Sequence, residues 1–271
     1  MNPLSLSAGS VLDLGPADVV RCAADAGYAL AGVRLADPRA QRHGITRALT
    51  STGLDLLDVE VVRLGESPLD DGQRRLAATA VELGARFLLT VSDDPDEDRA
   101  AGRLAELAGL LRGSTTRVAL EPMRFTAVRT RATAERVARA AGPDVTVLLD
   151  PLHLHRAGTD LAEPADPALT GYAQLTDVAS PEQEPDDLAH EARHLRVPPG
   201  EGGLDLTGFV RALPPGVPLA VEVQSDRLLA EPPVARAARP RRAARLRRAA
   251  RLRRAARKVL ELATADRGGE T

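Results

Sequence analysis

Four oxygen-bearing side chains sit at or near the ends of four apolar runs in the second half of the chain. Glu121 closes VALE, Asp150 closes VTVLLD, Gln174 lies within GYAQLTD, and Glu222 lies within PLAVEVQ. Three carboxylates and an amide oxygen are hard donors, and acids gathered at one point repel one another unless a cation joins them. If the runs are neighbouring parallel strands, the four converge on a divalent ion and leave positions open for a substrate's hydroxyl and carbonyl oxygens. The chemistry such a centre supports is polarisation of a carbonyl with proton transfer beside it.

That convergence needs a scaffold, and the rest of the sequence supplies its elements. Short apolar runs at 4–9, 30–35, 54–64, 85–92, 117–122, 145–150, 171–176 and 218–224 alternate with segments of helical period at 16–27, 67–83, 97–111, 131–141 and 204–212. Eight such units in 271 residues predict a single-domain (β/α)8 TIM barrel, which typically needs about 250 residues. Glu121 to Asp150 spans 29 residues and Asp150 to Gln174 spans 24, each room for one strand–helix unit, whereas Gln174 to Glu222 spans 48. The excess, SPEQEPDDLAHEARHLRVPPGEGG, is expected to lie over the barrel mouth as a partial lid.

Composition removes several alternatives. Cys22, the single cysteine, excludes an internal disulfide and a thiolate-rich metal site. Lys258, the one lysine, falls in an Arg-rich tail, so Schiff-base chemistry on a barrel strand lacks its amine. No GxSxG, GxxxxGK[ST] or GxGxxG motif occurs, and the absence of Trp leaves few platforms for stacking bases or sugars. No apolar run is long enough to span a membrane, and MNPLSLSAGS lacks the character of a signal peptide, so a cytoplasmic protein is expected.

In order and spacing, ALEPM, LLDPLHL, YAQLTD, VPPGEGGLDL and AVEVQSD make residues 4–230 resemble the xylose-isomerase-like barrels, a group within the AP endonuclease family 2 superfamily. That family includes sugar-phosphate isomerases, 3-epimerases, inosose dehydratases and 3-dehydroshikimate dehydratases. The resemblance implies one Mg²⁺, Mn²⁺ or Co²⁺ held by Glu121, Asp150, Gln174 and Glu222, with the acids at 121 and 222 doubling as acid/base groups on opposite faces of the substrate. Hard donors favour Mg²⁺ or Mn²⁺ over zinc. Gln174 departs from the family's commoner His, which leans toward the dehydratases and toward epimerase-like proteins carrying Gln.

The implied activity is a divalent-metal-dependent sugar, sugar-phosphate or cyclitol isomerase or epimerase, acting through a metal-stabilised enediolate. The alternatives are a dehydratase of a polyhydroxy keto acid or ketocyclitol, and a non-catalytic metal-binding relative. The expected partner is a small polyhydroxylated carbonyl compound, anionic or neutral; a homo-oligomer stays open. A three-zinc endonuclease needs strand-end histidines that are missing here, so nucleic acid is not expected.

Several neighbours are candidates for the substrate. His153, in the D-x-x-H pattern after Asp150, is expected to face the substrate as hydrogen-bond donor or proton carrier rather than as a metal ligand. Asp177 is a candidate to orient a ligand or His153. Glu60 and Arg63 at the end of the third run, Arg124 after the Glu121 tip and Arg196 before PPGEG are candidate substrate contacts, because guanidinium groups bind carboxylate or phosphate oxygens bidentately. Glu201, in the Gly-rich turn, is expected to shape the lid.

The tail is unusual. Residues 241–258 read RRAARL, RRAARL, RRAARK, and residues 236–258 hold eleven Arg, one Lys and no acid, leaving the rest of the chain with 24 bases against 38 acids. A six-residue period rotates a helix by about 240° per copy, so the repeat builds no fixed apolar stripe. Expansion of a short repeat in a GC-rich gene is the favoured reading, over contact with nucleic acid or anionic membrane. The chain thus divides into a barrel, 1–233, and a last barrel helix with an Arg/Ala extension, 234–271, in which Val259, Leu260 and Leu262 are expected to pack on the barrel.

Overall fold

The computed structural model describes residues 2–229 and 240–265, with side chains in the last helix from Arg251 onward. Eight parallel strands close into a barrel in sequence order: β1 (Leu4–Leu6), β2 (Leu30–Arg34), β3 (Asp55–Leu64), β4 (Phe87–Ser92), β5 (Arg117–Leu120), β6 (Val145–Leu149), β7 (Thr170–Leu175) and β8 (Leu219–Val221). β8 returns to β1 through Leu4↔Leu219 and Leu6↔Val221, so no strand edge is left open.

Helices α1 (Pro16–Asp25), α2 (Pro38–Thr52), α3 (Asp71–Glu82), α4 (Glu97–Leu110), α5 (Arg131–Ala141), α6 (Pro151–Arg156), α7 (Leu188–His194), α8 (Leu206–Ala212), α9 (Asp226–Leu229) and α10 (Pro240–Ala265) follow the strands. Most start on a side chain that accepts a backbone N–H, such as Asp37, Asp70, Asp96, Thr130 and Asp205. α2 was not foreseen, because its Gly44 and threonines are weak helix formers. The expected strand 4–9 stops at Leu6, since the Ser7 hydroxyl accepts from Gly9 N–H and turns the chain into a 3-10 helix at Ala8–Val11.

Two apolar layers result. Strand residues facing outward pack under the helices, while Leu57, Phe87, Leu89, Leu148 and Tyr172 fill the barrel interior, with the Phe87 and Tyr172 rings stacked at 5.0 Å. Because strand side chains alternate, the residue two positions after an interior one also points inward. Ala119, Leu148, Tyr172 and Ala220 are interior. Glu121, Asp150, Gln174 and Glu222 are therefore the next inward positions, at the carboxyl ends of their strands.

The long connection after β7 does carry structure. Asp177 accepts N–H groups of Gly200 (3.0 Å), Gly202 (3.1 Å) and Leu204 (3.0 Å), gathering the Gly-rich turn around one carboxylate. A Cβ on Gly202 would lie 2.1 Å from the Val178 carbonyl, so only glycine fits there. Arg156 on α6 forms a buried ion pair with Glu191 on α7 (2.6 Å) and donates to the Pro181 carbonyl (2.7 Å), fastening this segment to the barrel.

α10 lies along α1 and α8, with Leu252, Ala256, Val259, Leu260 and Ala263 buried. Leu262 corrects the expectation: at 52% exposure it faces away from that contact. Arg251 reaches the Gly-rich turn at Glu201 (2.9 Å). The proposed division at 233/234 lies outside the described residues. Among the described residues, no helix is long and apolar enough to cross a membrane.

Candidate metal centre

The strand ends meet at a cavity of about 230 Å³ whose wall includes Glu121, His153, Gln174, Arg196 and Glu222. Asp150 caps α6: its Oδ1 accepts from Leu152 N–H (2.7 Å) and His153 N–H (3.3 Å), while Pro151 fixes the first helical turn. The cap turns Asp150 inward and stands His153 beside it. One ligand atom from each of Glu121, Asp150 and His153 lies within 4.8 Å of the others, and all three residues are buried. This triad could bind a metal. His153, read from sequence as substrate-facing, thus stands among the candidate ligands, its Nε2 3.8 Å from Glu121 Oε1.

Glu222 approaches from β8, where Ser7 Oγ lies 3.1 Å from its Oε1. A Cβ on Gly9 would sit 2.4 Å from that same oxygen, so glycine gives the carboxylate its place. Gln174 is 1% exposed, and its Oε1 has no hydrogen-bond partner among the described residues. A buried amide oxygen left alone is costly. It points to a partner, a cation or a substrate hydroxyl, supplied at this position.

The electrostatics agree. Burial, then the charges of Glu222 and Asp150, push the Glu121 carboxyl well above its ordinary value. Burial also raises Glu222, against the opposing pull of Arg196. Burial works upward on Asp150 too, but Arg196, His153 and the cap hydrogen bonds outweigh it and hold that carboxyl below the usual range. His153 is lowered to about 4 by burial and so stays neutral near pH 7. The centre is short of positive charge, which a divalent ion would provide. Donor chemistry, orphaned amide oxygen and raised carboxyls all fit a metal.

Of the five other candidates, Arg196 and Arg63 line the cavity, whereas Glu60, Arg124 and Asp177 are not on its wall. Arg196 is not at the rim but 2% exposed among the acids, with Nη1 2.7 Å from Asp150 Oδ2. Arg63 lines the cavity but is paired with Asp93. Glu60 lies buried on β3 under Arg34, which holds its Oε2 at 2.6 Å, and beside Ser7 Oγ at 3.3 Å. Arg124 turns toward the lid, pairing with Glu184 at 2.6 Å and donating to the Arg156 carbonyl, away from the cavity wall. Asp177 serves the lid turn instead of His153.

Residues unforeseen from sequence complete the wall. Arg34 follows Leu30 and Gly32 at alternate positions, so the period that locates Glu121 could have located it. Phe125 packs edge-on against His153 at 5.5 Å, and Arg193 of α7 lies 5.7 Å over the same ring. Asp58, beneath the floor, is raised well above its ordinary value by burial and by Glu60 and Glu222, while Tyr172 Oη donates to it at 3.2 Å.

The family model described as xylose isomerase-like TIM barrel matches residues 20–255. No curated protein matches the chain. Among solved structures, an IolI protein with a bound zinc atom is 16% identical with a TM-score of 0.73, over 97% of this chain and 98% of that one. A D-allulose 3-epimerase from Methylomonas sp., in complex with D-allulose, is 16% identical with a TM-score of 0.65, over 83% and 85%. A probable 3-DHS dehydratase, AsbF, from Bacillus anthracis is 13% identical with a TM-score of 0.64, over 92% and 97%. The chain spans 42% of the length of a xylose isomerase-like TIM barrel/4-hydroxyphenylpyruvate dioxygenase fusion protein.

Proposed function

The chain belongs to the xylose isomerase-like TIM barrel family, and from that premise we propose that it is a divalent-metal-dependent isomerase or epimerase of a polyhydroxylated carbonyl compound. The observation that carries the reading is the unpartnered Gln174 Oε1 facing a buried, charge-deficient set of acids. Glu121, Asp150, Gln174 and Glu222 would hold the metal, with His153 in reach of the first two. Oxygen donors in the majority favour Mg²⁺ or Mn²⁺, with Co²⁺ next because of the nearby imidazole. Bound there, the ion would polarise the substrate carbonyl and stabilise negative charge on its oxygen.

The chain's own groups manage the proton. β5 and β8 stand three strands apart around the ring, so Glu121 and Glu222 reach the cavity from different sides. One takes the proton from the carbon next to the carbonyl and the other returns a proton to the opposite face. In the metal-free protein burial raises both carboxyls above their ordinary values, so each has a higher proton affinity than an exposed acid. Neutral His153 is placed to hydrogen-bond the substrate oxygen. Phe125 meets the His153 ring edge-on and helps fix its orientation.

A dehydratase would share the proton-abstraction step and then expel a β-hydroxyl, with His153 as the proton donor. Turnover in D₂O by Mg²⁺- or Mn²⁺-loaded protein separates the outcomes, with keto-sugars, inososes and 3-dehydroshikimate as substrates. Deuterium entering the carbon next to the carbonyl without loss of water is expected. Loss of water makes the protein a lyase, and neither event with any substrate class overturns the catalytic reading.

A further inference from the structure

Arg196 occupies a place that no rim residue would. Its guanidinium is 2% exposed, with Nη1 2.7 Å from Asp150 Oδ2, Nη2 3.5 Å from Glu222 Oε2, and Nη2 3.4 Å from His153 Nε2; Nε donates to the Ala192 carbonyl at 2.7 Å. One cation therefore touches two of the acids proposed as metal ligands and the histidine beside them. Both Asp150 oxygens are engaged, Oδ2 by Arg196 and Oδ1 by the cap N–H groups. On the other side of the centre Glu121 has His153 at 3.8 Å, and Gln174 Oε1 has no partner among the described residues.

We propose that Arg196 is a resident counter-ion of the metal-free site, and that a divalent metal must displace it from Asp150 and Glu222 to bind. The inference rests on the metal-binding reading above. An arginine side chain does not give up its charge in a protein, so it cannot yield by losing a proton. Two cations on one carboxylate oxygen repel strongly in a buried setting. Displacement is then the route by which the acids pass from guanidinium to metal. The same contact explains how three acids stay folded together before metal arrives: the arginine neutralises one side and leaves Glu121 and Gln174 open to begin capture.

Calorimetric titration of Mn²⁺ into wild type and Arg196→Met, with melting temperatures taken with and without Mn²⁺, tests this. The variant should bind Mn²⁺ at least about tenfold more tightly, melt lower than wild type without metal, and gain more from metal. Arg196→Lys should fall between the two. Equal or weaker Mn²⁺ binding by a folded Arg196→Met variant would overturn the proposal, since it would show the arginine orienting the acids for metal. Should that variant not fold, a crystal structure of Mn²⁺-loaded wild type decides: Nη1 beyond hydrogen-bonding distance of Asp150 Oδ2 supports displacement, and the ion pair retained beside a bound ion refutes it. Failure of both wild type and variant to bind Mn²⁺ would remove the metal site itself, whereas binding by wild type with no gain in the variant removes this inference alone.

Discussion

The two sides of the barrel mouth treat their acids differently. On the β2–β4 side acids meet separate arginines: Glu60 with Arg34, Asp93 with Arg63, and Asp94 with Arg99, which also reaches Glu66 and Asp96. On the β5–β8 side Glu121, Asp150 and Glu222 lie around one guanidinium, that of Arg196. The consequence shows in proton affinity. A two-pronged hydrogen bond from Arg99 holds Asp94 below the usual carboxylate range, whereas burial lifts Glu121 and Glu222 above it. Asp150 is also held low by Arg196, but that guanidinium is shared with Glu222, so the buried acids of this side crowd around one positive charge. Asp58 belongs with neither side, since it sits under the floor where Tyr172 donates to it.

Substitutions that remove one charge from each side should break the symmetry most visibly. Asp150→Asn should weaken Mn²⁺ binding by at least about a hundredfold, beyond the usual cost of losing a group that only supports a ligand. Glu60→Gln should cost less than about tenfold, because Glu60 is paired with Arg34 and its hydrogen bond toward the centre runs through Ser7 to Glu222. Calorimetric titration of both variants checks this. Equal losses would mean that the paired side takes part in metal binding.

The second contrast concerns pH. Glu121 and Glu222 keep their protons to higher pH than ordinary carboxylates. Metal requires the ionised form, so binding must expel those protons, and affinity should rise with pH by up to about tenfold per unit for each proton released. The stability sign follows from the same shifts. A raised folded-state value contributes stability below the ordinary carboxylate pKa and loses it as pH climbs, so the acids at 121 and 222 make the metal-free protein weaker toward neutrality. His153, lowered to about 4, works oppositely: its contribution is present above the ordinary imidazole value and is lost as pH falls toward 4. Mn²⁺ titration in two buffers of different ionisation heat counts the protons released. Proton release that does not grow as the pH is lowered would contradict the raised values.

Much of this was legible in the chain because a barrel strand has a period of two. Glu121, Asp150, Gln174 and Glu222 each follow an interior residue by two positions, and each sits at or near the end of an apolar run plain enough to find. Arg34 obeys the same rule, but Gly32 interrupts the apolar pattern before it. α7 was hidden by the Pro- and acid-rich segment around it, although Asp187 accepts from Ala189 and His190 N–H as a cap should. The place of Arg196 was beyond local pattern: its partner Asp150 is 46 residues away, and only the folded lid joins them. Leu262 lies beyond the Arg/Ala repeat and faces outward because the face buried by α10 is set by α1 and α8, which no local pattern reveals.

The smallest expected effect refines the unpaired side without removing a charge. Gln174 offers a buried amide oxygen that no group among the described residues satisfies. If that oxygen is a ligand, Gln174→His replaces it with a softer imidazole nitrogen in the same barrel layer, where Tyr172 and its interior neighbours fix the strand. The site keeps its three carboxylates, so a metal should still bind. What should change is the order of preference, with Co²⁺ and Zn²⁺ gaining severalfold over Mg²⁺ and Mn²⁺, roughly as expected when imidazole replaces an oxygen donor. Competition titrations among the four ions measure this ratio directly. An unchanged order would show that Gln174 stands outside the metal's reach and that its oxygen waits for a substrate hydroxyl instead.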